Sequence, residues 1–427
     1  MPSIAFHTLG CKLNFAESSH LLRTFKQHNF EDKSFNELAD VYVINTCTVT
    51  AVAEKKCRAA IRQANRLNSQ AVIAVIGCFS QVNAKEIEKM EGVDIILGND
   101  DKNKLFEKVN QCLEDRKFVN EVVDIKNLRY FSPSFSSDDR TRGFLKVQDG
   151  CDYFCSYCEI PYARGRSRSC SIKEAVRYAQ LLESEGKREI ILTGINIGDF
   201  GKGTSENFLG LIQALDSQTA VARYRISSIE PDLLTTDIIT FCASSQKIVP
   251  HFHIPLQSAS NTVLESMKRN YTCEEFSHKV QQIKTLMPDA FIACDVMCGF
   301  NTETEAEFEK SYDILSNLPI SFLHVFTYSE RPDASTARIG GKVPMAERRK
   351  RTEILQSLSE KKKKEFYLSQ VGKQVSVLWE ETNKDGKMCG FSENYVRCQT
   401  DYNEGLRNKI TKHSLYNFNT LENIFEV

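Results

Sequence analysis

The chain has 427 residues, of which 41% are hydrophobic and 26% charged, and a formal net charge of −1. This length predicts two or three domains, and the composition is typical of a soluble globular protein. The near-zero charge excludes nucleic-acid binding through bulk charge alone. Fifteen cysteines without a secretory signal pattern favour metal chemistry over a disulfide framework. No run approaches the ~20 apolar residues of a membrane span, so we expect a cytoplasmic protein.

The first 125 residues alternate strand-like and helix-like patterns. Helical patterns fall at 17–29 and 51–67. Apolar, β-branched runs that predict strands fall at 4–8, 41–45, 71–76 and 93–97. Near-continuous apolar strands separated by helices are typical of a parallel sheet covered on both faces. We therefore predict an α/β domain with a parallel sheet over residues 1–125.

Three cysteines each follow one of these predicted strands. Cys11 stands in TLGCKLN, Cys47 in NTCTVT and Cys78 in IGCFSQ, and we call them the strand-end cysteines. Because parallel strands build sites at their carboxyl ends, we expect these thiols to converge on a cluster with one open iron. Inert buried cysteines are the alternative, since free cysteine is among the most buried residue types. Cys57, on the following helix, is expected to be packed rather than ligating.

A second domain is predicted for residues 137–366, after a linker rich in Ser and Asp. Its predicted strands are 144–148, 189–193, 223–227, 251–255, 291–297 and 322–328. Six strand–helix units are too few for the closed eight-stranded barrel and predict a partial (β/α)6 barrel. Short strands at 375–378 and 395–398, with glycine turns around them, predict a small β-barrel over 367–427.

The loop after the first strand of the second domain carries Cys151, Cys155 and Cys158 in the spacing CxxxCxxC. We call them the loop cysteines. Three thiolates this close can bind three irons of a [4Fe–4S] cluster and leave the fourth iron without a protein ligand. A zinc site usually has four ligands, and a disulfide framework suits small secreted domains. The spacing therefore predicts a [4Fe–4S] cluster with an open iron.

With these features the chain resembles the methylthiotransferase family of radical S-adenosylmethionine (SAM) enzymes. Beside the three strand-end blocks, the resemblance is carried by QDGCDYFCSYCEIPYARGRSRS, ILTGINIG, RISSIEP, HFHIPLQS and LHVFTYSERP. The block TCTVT followed by AEKKCR is most similar to the MtaB branch. That branch converts N6-threonylcarbamoyladenosine, beside the anticodon of tRNA, into its 2-methylthio derivative. The alternatives are the branch acting on isopentenyladenosine and the branch acting on an aspartate of a ribosomal protein.

The resemblance implies two [4Fe–4S] clusters and a C-terminal TRAM-like RNA-binding domain. By this resemblance, the cluster on the loop cysteines is expected to bind SAM and generate a 5′-deoxyadenosyl radical. The cluster on the strand-end cysteines is expected to carry the sulfur that a second SAM methylates and that is delivered to C2 of the adenosine. The implied partners are the anticodon stem–loop of tRNA and an electron donor such as flavodoxin or ferredoxin, with no membrane and no DNA.

Further residues are expected to line the site. Those predicted to contact SAM are Tyr157, Gly194, Glu230 and Gln257, with a purely structural hydrogen bond as the alternative for Glu230 and Gln257. Those that would either grip RNA phosphates or pair with carboxylates are Arg164, Arg166 and Arg168. His251 and His253 share one face of a predicted strand, which is either cavity or core. The basic runs at 348–351 and 361–364 predict a solvated helix face or an RNA contact. A non-enzymatic iron–sulfur or zinc protein that binds RNA is a further functional alternative.

Overall fold

The computed structural model describes residues 1–125, 128, 130–136, 141–330, 336, 339–381 and 384–427. These residues fold into two compact units. The first unit comprises Met1–Asp139, Gln148–Phe154 and Cys158–Arg168. The second comprises Arg140–Val147, Cys155–Tyr157 and Ser169–Val427. The predicted linker, residues 126–139, lies partly outside the described residues.

The first 136 residues alternate strands and helices, as predicted. The strands are β1 (Ser3–Thr8), β2 (Glu31–Lys33), β3 (Val41–Thr46), β4 (Val72–Gly77), β5 (Ile95–Leu97), β6 (Val119–Glu121) and β7 (Ser134–Ser136). The helices are α1 (Lys12–Gln27), α2 (Ala51–Leu67), α3 (Cys78–Ile87) and α4 (Leu105–Asp115). Strands β1 to β6 pair in parallel in the order β2-β1-β3-β4-β5-β6. The predicted parallel α/β domain is therefore confirmed.

Both faces of this sheet are apolar, which is why helices cover both. Every residue of β3 and β4 is buried. One face packs against Phe25 of α1 and Leu105 of α4. The opposite face packs against Ile61 of α2 and Phe79 of α3. Strands of Val and Ile in both alternating positions suit only a sheet buried on both sides.

Residues 143–327 contain the second set of elements. The strands are β8 (Gly143–Lys146), β9 (Gln148–Asp149), β10 (Arg168–Ser169), β11 (Glu189–Thr193), β12 (Arg223–Ile226), β13 (His251–His253), β14 (Phe291–Cys298) and β15 (Phe322–Thr327). The helices are α5 (Ile160–Arg164), α6 (Ile172–Ser184), α7 (Phe208–Gln218), α8 (Thr236–Ser244), α9 (Asn261–Ser266), α10 (Cys273–Leu286) and α11 (Glu305–Asn317).

Six of these strands match the strands predicted for the partial barrel. Strands β8, β11 and β12 pair in parallel, and so do β13, β14 and β15. Two isolated parallel bridges, Tyr224 with Ile248 and Ser228 with His253, join the two groups. The resulting order β8-β11-β12-β13-β14-β15, with helices between most consecutive strands, confirms the predicted (β/α)6 arrangement.

The last part of the chain is a long helix followed by a curled sheet. These elements are α12 (Met345–Leu368), β16 (Gln374–Trp379), β17 (Lys387–Ser392), β18 (Arg397–Asp401), β19 (Ile410–Ser414), β20 (Asn417–Asn419) and β21 (Ile424–Glu426). The sheet order is β19-β16-β17-β18-β21-β20, a half-barrel. Its core includes Trp379 and Phe425 and also Phe291 of β14. This core is shared with the barrel strands. The predicted domain boundary between residues 366 and 367 therefore stays a prediction.

Helix α12 carries both basic runs of the sequence. Arg348 pairs with Glu330 at 2.9 Å, and Arg351 pairs with Glu303 at 3.0 Å. These buried arginines form ion pairs inside the second unit, whereas Arg349 and other basic residues of the helix are exposed. The question of RNA contact therefore concerns only the exposed part of α12. Within the described ranges, no helix is long and apolar enough to cross a membrane.

Candidate active site

The strand-end cysteines lie at the carboxyl ends of three neighbouring parallel strands. Cys11 caps α1 after β1, Cys47 follows β3, and Cys78 begins α3 after β4. Burial raises the pKa of Cys47 to about 12, and the adjacent Cys78 and Cys11 thiols add to that increase. The structure thus brings these three cysteines together at one edge of the sheet.

Two glycines allow the cysteine loops to approach each other. Gly10 has φ +103°, and a Cβ atom there would lie 2.8 Å from Cβ of Cys47. Gly77 has φ +106°, and a Cβ atom there would lie 2.6 Å from Oδ1 of Asn45. Both positions combine a left-handed backbone with a contact too close for any side chain. They explain why glycine precedes Cys11 and Cys78.

Polar side chains of the same motifs tie the loops to one another. The Asn14 amide donates to the carbonyls of Leu9 at 2.7 Å and Thr46 at 3.1 Å. Asn45 Nδ2 donates to the Asn14 carbonyl at 3.1 Å. The Thr46 hydroxyl donates to the Ile76 carbonyl at 2.6 Å. These bonds link the loops after β1, β3 and β4 to one another and so fix the positions of the thiols.

A buried ionic network lies against the strand-end cysteines. The Arg164 guanidinium, with no exposed surface, bonds to Glu17 at 3.1 Å and Asp149 at 3.0 Å. Lys102 reaches the same Glu17 carboxylate at 2.5 Å. The Arg164 guanidinium also donates to Oδ1 of Asn14 at 2.5 Å, and the same oxygen lies 3.8 Å from Sγ of Cys11. Because metals bind thiolates and not thiols, a cation in this position favours the ligating form.

Arg164 resolves one alternative that the sequence left open. Its guanidinium is fully buried among carboxylates and cannot reach an RNA phosphate. Arg168 is only 9% exposed and bonds to Asp149 at 3.2 Å. Arg166 is 54% exposed and has a longer 3.6 Å contact to Asp152. Of the three arginines, Arg166 alone keeps the surface that a phosphate contact needs.

Each loop cysteine accepts a hydrogen bond at its sulfur atom. The backbone N–H of Tyr153 lies 3.5 Å from Sγ of Cys151, and that of Ile160 lies 3.4 Å from Sγ of Cys158. Burial raises the pKa of Cys155, but the Arg269 guanidinium, 3.2 Å from its sulfur atom, lowers it. Hydrogen bonds to the sulfurs are among the features that tune iron–sulfur clusters. The donor set fits such a cluster.

Nothing in the sequence indicates that Arg269 belongs to the site, because it lies in a short segment after α9, outside the family motifs. Its guanidinium contacts both Cys155 and the Glu230 carboxylate. Burial raises the pKa of Glu230, while Arg269 opposes the increase. Glu230 is thus held by an ion pair beside a loop cysteine, and its contact with SAM stays a prediction.

The other residues predicted to contact SAM lie in the second unit. Tyr157 packs in an apolar cluster with Met297, and its ring lies 6.2 Å from that of Phe300. Gly194 follows the last residue of β11. Gln257 has φ +65° and accepts a backbone bond from Met297 at 2.8 Å. A left-handed non-glycine residue held by the neighbouring strand is the kind of strain that functional sites retain.

Comparison with known proteins identifies the family. Residues 3–98 match the model of the uncharacterized protein family UPF0004, and residues 145–315 match the radical SAM superfamily. The chain is 40% identical over 423 residues to the threonylcarbamoyladenosine tRNA methylthiotransferase MtaB of Bacillus subtilis, covering 96% of this chain and 93% of that protein. The chain belongs to the radical SAM methylthiotransferase family. The Aquifex aeolicus MtaB is 38% identical to this methylthiotransferase, over 92% of this chain and 95% of its own.

More distant relatives agree with this assignment. A tRNA-2-methylthio-N(6)-dimethylallyladenosine synthase of Endomicrobium trichonymphae is 30% identical to this methylthiotransferase, over 95% of this chain and 94% of its own. A solved radical SAM methyltransferase, TsrM of Kitasatospora setae, matches with a TM-score of 0.57 at 14% identity, over 78% of this chain and 77% of its own. The latter likeness supports the fold alone.

Family membership implies that this methylthiotransferase uses a [4Fe–4S] cluster and SAM. The CxxxCxxC loop has the donor set for that cluster. Cys57, by contrast, is fully buried, and its thiol contacts the backbone N–H and carbonyl of Cys47 at 3.4 and 3.5 Å. Glu17 and Lys102 are the other site residues that the sequence pattern does not reveal. Charged residues on helices ordinarily predict an exposed face, not a buried network.

Proposed function

We propose that this methylthiotransferase converts N6-threonylcarbamoyladenosine at position 37 of tRNA into its 2-methylthio derivative. The observation that carries the proposal is the 40% identity, over nearly the whole chain, to a relative named for that reaction. Two separate cysteine groups in one chain support it, because adding a methylthio group requires both a radical and a sulfur source.

We assign the first [4Fe–4S] cluster to the loop cysteines and a second to the strand-end cysteines. The grouping of Cys11, Cys47 and Cys78 at adjacent strand ends supports the second assignment, as does the buried Arg164 beside them. When bound, SAM and the clusters supply the hydrogen-abstracting radical and the sulfur. The protein holds the clusters by thiolates and supplies position and exclusion of water.

Individual side chains would complete the site. Arg269 would support the thiolate of Cys155 and hold Glu230 in place through the ion pair between them. Tyr157 and the Gly194 backbone would lie along SAM, with Gln257 as a polar contact. Each of these roles follows from the family resemblance together with the position of the residue beside the loop or at a strand end.

The partners in this proposal are tRNA and an electron donor such as flavodoxin or ferredoxin. The C-terminal half-barrel has seven Lys or Arg and eight Asp or Glu from Val371 to Val427, so it would contact RNA through local groups and not through net charge. Arg166 is a candidate for a phosphate contact. The substrate base must be unstacked to reach the radical, and anticodon loops offer such splayed bases.

The test uses the full chain, reconstituted with iron and sulfide under anaerobic conditions. It would be given SAM, a reductant and one of three tRNAs, carrying threonylcarbamoyladenosine, isopentenyladenosine or unmodified adenosine at position 37. Digested nucleosides would be measured by mass spectrometry, and a variant with all three loop cysteines changed to alanine is the control. We expect the 2-methylthio product from the first tRNA only.

The second candidate is the isopentenyladenosine reaction, which the 30% identity to a dimethylallyladenosine synthase favours. Product from the second tRNA and none from the first would select it. If neither tRNA is modified, while a ribosomal-protein aspartate gains a methylthio group, the tRNA proposal is wrong.

A further inference from the structure

Three side chains with hydrogen-bonding capacity meet on neighbouring barrel strands of the second unit. They are His253 on β13, Asp295 on β14 and His324 on β15, and their nearest polar atoms all lie within 4.8 Å of one another. His253 Nε2 lies 2.9 Å from Oδ1 of Asp295, and the two imidazole rings are 5.0 Å apart. We call these three residues the imidazole group.

The imidazole group lies on the same strand face as part of the candidate active site. Alternate residues of a strand share a face, so Asp295 and Met297 point to the same side of β14. Met297 packs against Tyr157, the residue before the last loop cysteine. Asp295 also influences the Glu230 carboxylate electrostatically. Asp295 of the imidazole group therefore lies two residues along β14 from Met297, the residue that packs against the loop to which we assign SAM binding.

This face is open to a ligand. His324 is exposed, and the side chains of His253 and Asp295 are 22% and 19% exposed. Phe326, two residues beyond His324 on β15, is 47% exposed although it is a large apolar side chain. Its backbone partner in the sheet is Met297. An exposed aromatic ring next to polar groups suits a nucleobase, because splayed bases stack on aromatic side chains.

We propose that the imidazole group binds the threonylcarbamoyl substituent of the substrate base while Phe326 stacks on the adenine. This inference rests on the function proposed above and names the residues that select the substrate. A threonylcarbamoyl group carries a carboxylate and a hydroxyl, together with the N–H and C=O groups of a urea. Imidazole nitrogens can donate to the carboxylate, and Asp295 can accept from N–H or O–H groups.

The same chemistry rejects the isopentenyl substituent, which is a hydrocarbon. It offers no hydrogen-bonding atom to these side chains, and sites built for hydrogen bonds discriminate strongly against ligands that lack such atoms. Two histidines and a carboxylate are also a known ligand set for transition metals. We favour organic recognition because the large apolar ring of Phe326 is exposed two residues beyond His324, which suits a stacked base better than a metal ion.

The test compares three anticodon stem–loop RNAs as substrates of the full-length protein loaded with its clusters. They carry threonylcarbamoyladenosine, its carboxyl methyl ester or isopentenyladenosine. For His324→Ala we expect KM to rise about 10- to 100-fold with the acid and less than about threefold with the ester, the range that a lost charge-assisted hydrogen bond produces. Phe326→Ala should raise KM equally for the acid and the ester. The matched control is His278→Ala, an exposed histidine on α10.

Reductive SAM cleavage without RNA reports whether a variant still folds and holds its cluster. Asp295→Asn provides a second variant should His324→Ala lose that cleavage. The inference is overturned if wild type uses acid and ester equally well or if His324→Ala matches His278→Ala on both RNAs. It is also overturned by one tightly bound zinc or manganese ion that disappears in His324→Ala. If wild type modifies no threonylcarbamoyl RNA, the proposed function itself has failed.

Discussion

The two cysteine groups of this protein are assembled in different ways. The loop cysteines lie within eight residues of sequence, so their proximity is a property of one loop. The strand-end cysteines are separated by whole strand–helix units and come together because β1, β3 and β4 are parallel neighbours. The second group depends on a folded sheet and on a buried ionic network, whereas the first needs chiefly its own backbone.

This difference shows where each group is vulnerable. A site made by one loop tolerates changes elsewhere in the fold, because its ligand spacing is covalent. A site made by three loops fails when any one of them moves. The experiments below separate the two behaviours, beginning with the largest expected effect.

Removing either set of thiols should remove one cluster. A triple alanine variant of the loop cysteines should lower iron from about eight to about four per chain and abolish SAM cleavage. The corresponding variant of the strand-end cysteines should also retain about four irons but still cleave SAM, without forming a methylthio product. Iron and acid-labile sulfide analysis checks both. Eight irons remaining in the strand-end variant would remove the basis for the second cluster.

Arg164→Met should destabilise the first unit. It removes the cation that Glu17 and Asp149 share, while Glu17 keeps Lys102 and Asp149 keeps Arg168. Because both carboxylates retain a partner, we expect a cost of about 1.5–3 kcal/mol, the range for losing a hydrogen bond to a charged group, rather than the about 3–5 kcal/mol of a fully broken buried ion pair. The matched variant is Arg166→Met, two residues away and 54% exposed, which should stay within about 0.5 kcal/mol of wild type. Urea unfolding of the full chain would measure both. Equal midpoints for the two variants would contradict the buried network.

Gly10→Ala should affect one cluster and not the other. The left-handed backbone costs about 1–2 kcal/mol with any side chain, and the new Cβ atom also collides with Cys47, 2.8 Å away. We expect iron to fall toward about four per chain while SAM cleavage persists.

Gly203→Ala is the control for this variant, because Gly203 has φ +81° and no atom within 4 Å of its added Cβ. It should carry similar backbone strain and keep its iron. Loss of SAM cleavage in Gly10→Ala would show that the two cysteine groups are not separable.

The smallest expected effect concerns RNA binding beside the loop cysteines. Arg166→Ala should weaken tRNA binding about threefold and reduce the slope of log affinity against log salt by about one, the result of losing one phosphate contact. Lys117→Ala, at a 77% exposed position, serves as the comparison. Titration at several salt concentrations measures the slope. A slope equal to that of Lys117→Ala would exclude Arg166 from the interface.

Much of the fold could be predicted from the sequence because strands of Val and Ile are strong local signals. The predicted strand 189–193 and helix 51–67 match β11 and α2 residue for residue. Helix α3 has only ten residues and starts at Cys78 itself, so the sequence has no long periodic pattern that would predict it. The short strands β2 and β6 likewise have three residues each, too few for a pattern to stand out.

The sequence by itself determined the family and the partial barrel, because these depend on local spacing and hydrophobic pattern. The same local spacing predicts the six cysteines as cluster ligands. Only the tertiary structure determined which charged residues are buried in ion pairs and which are exposed. Arg164 and Arg166 are two positions apart in one basic run, yet one is buried among carboxylates and the other is exposed. Arg269 and the imidazole group also acquire their partners only through strand pairing and chain packing. Burial and pairing of charges are long-range properties, and no local pattern specifies them.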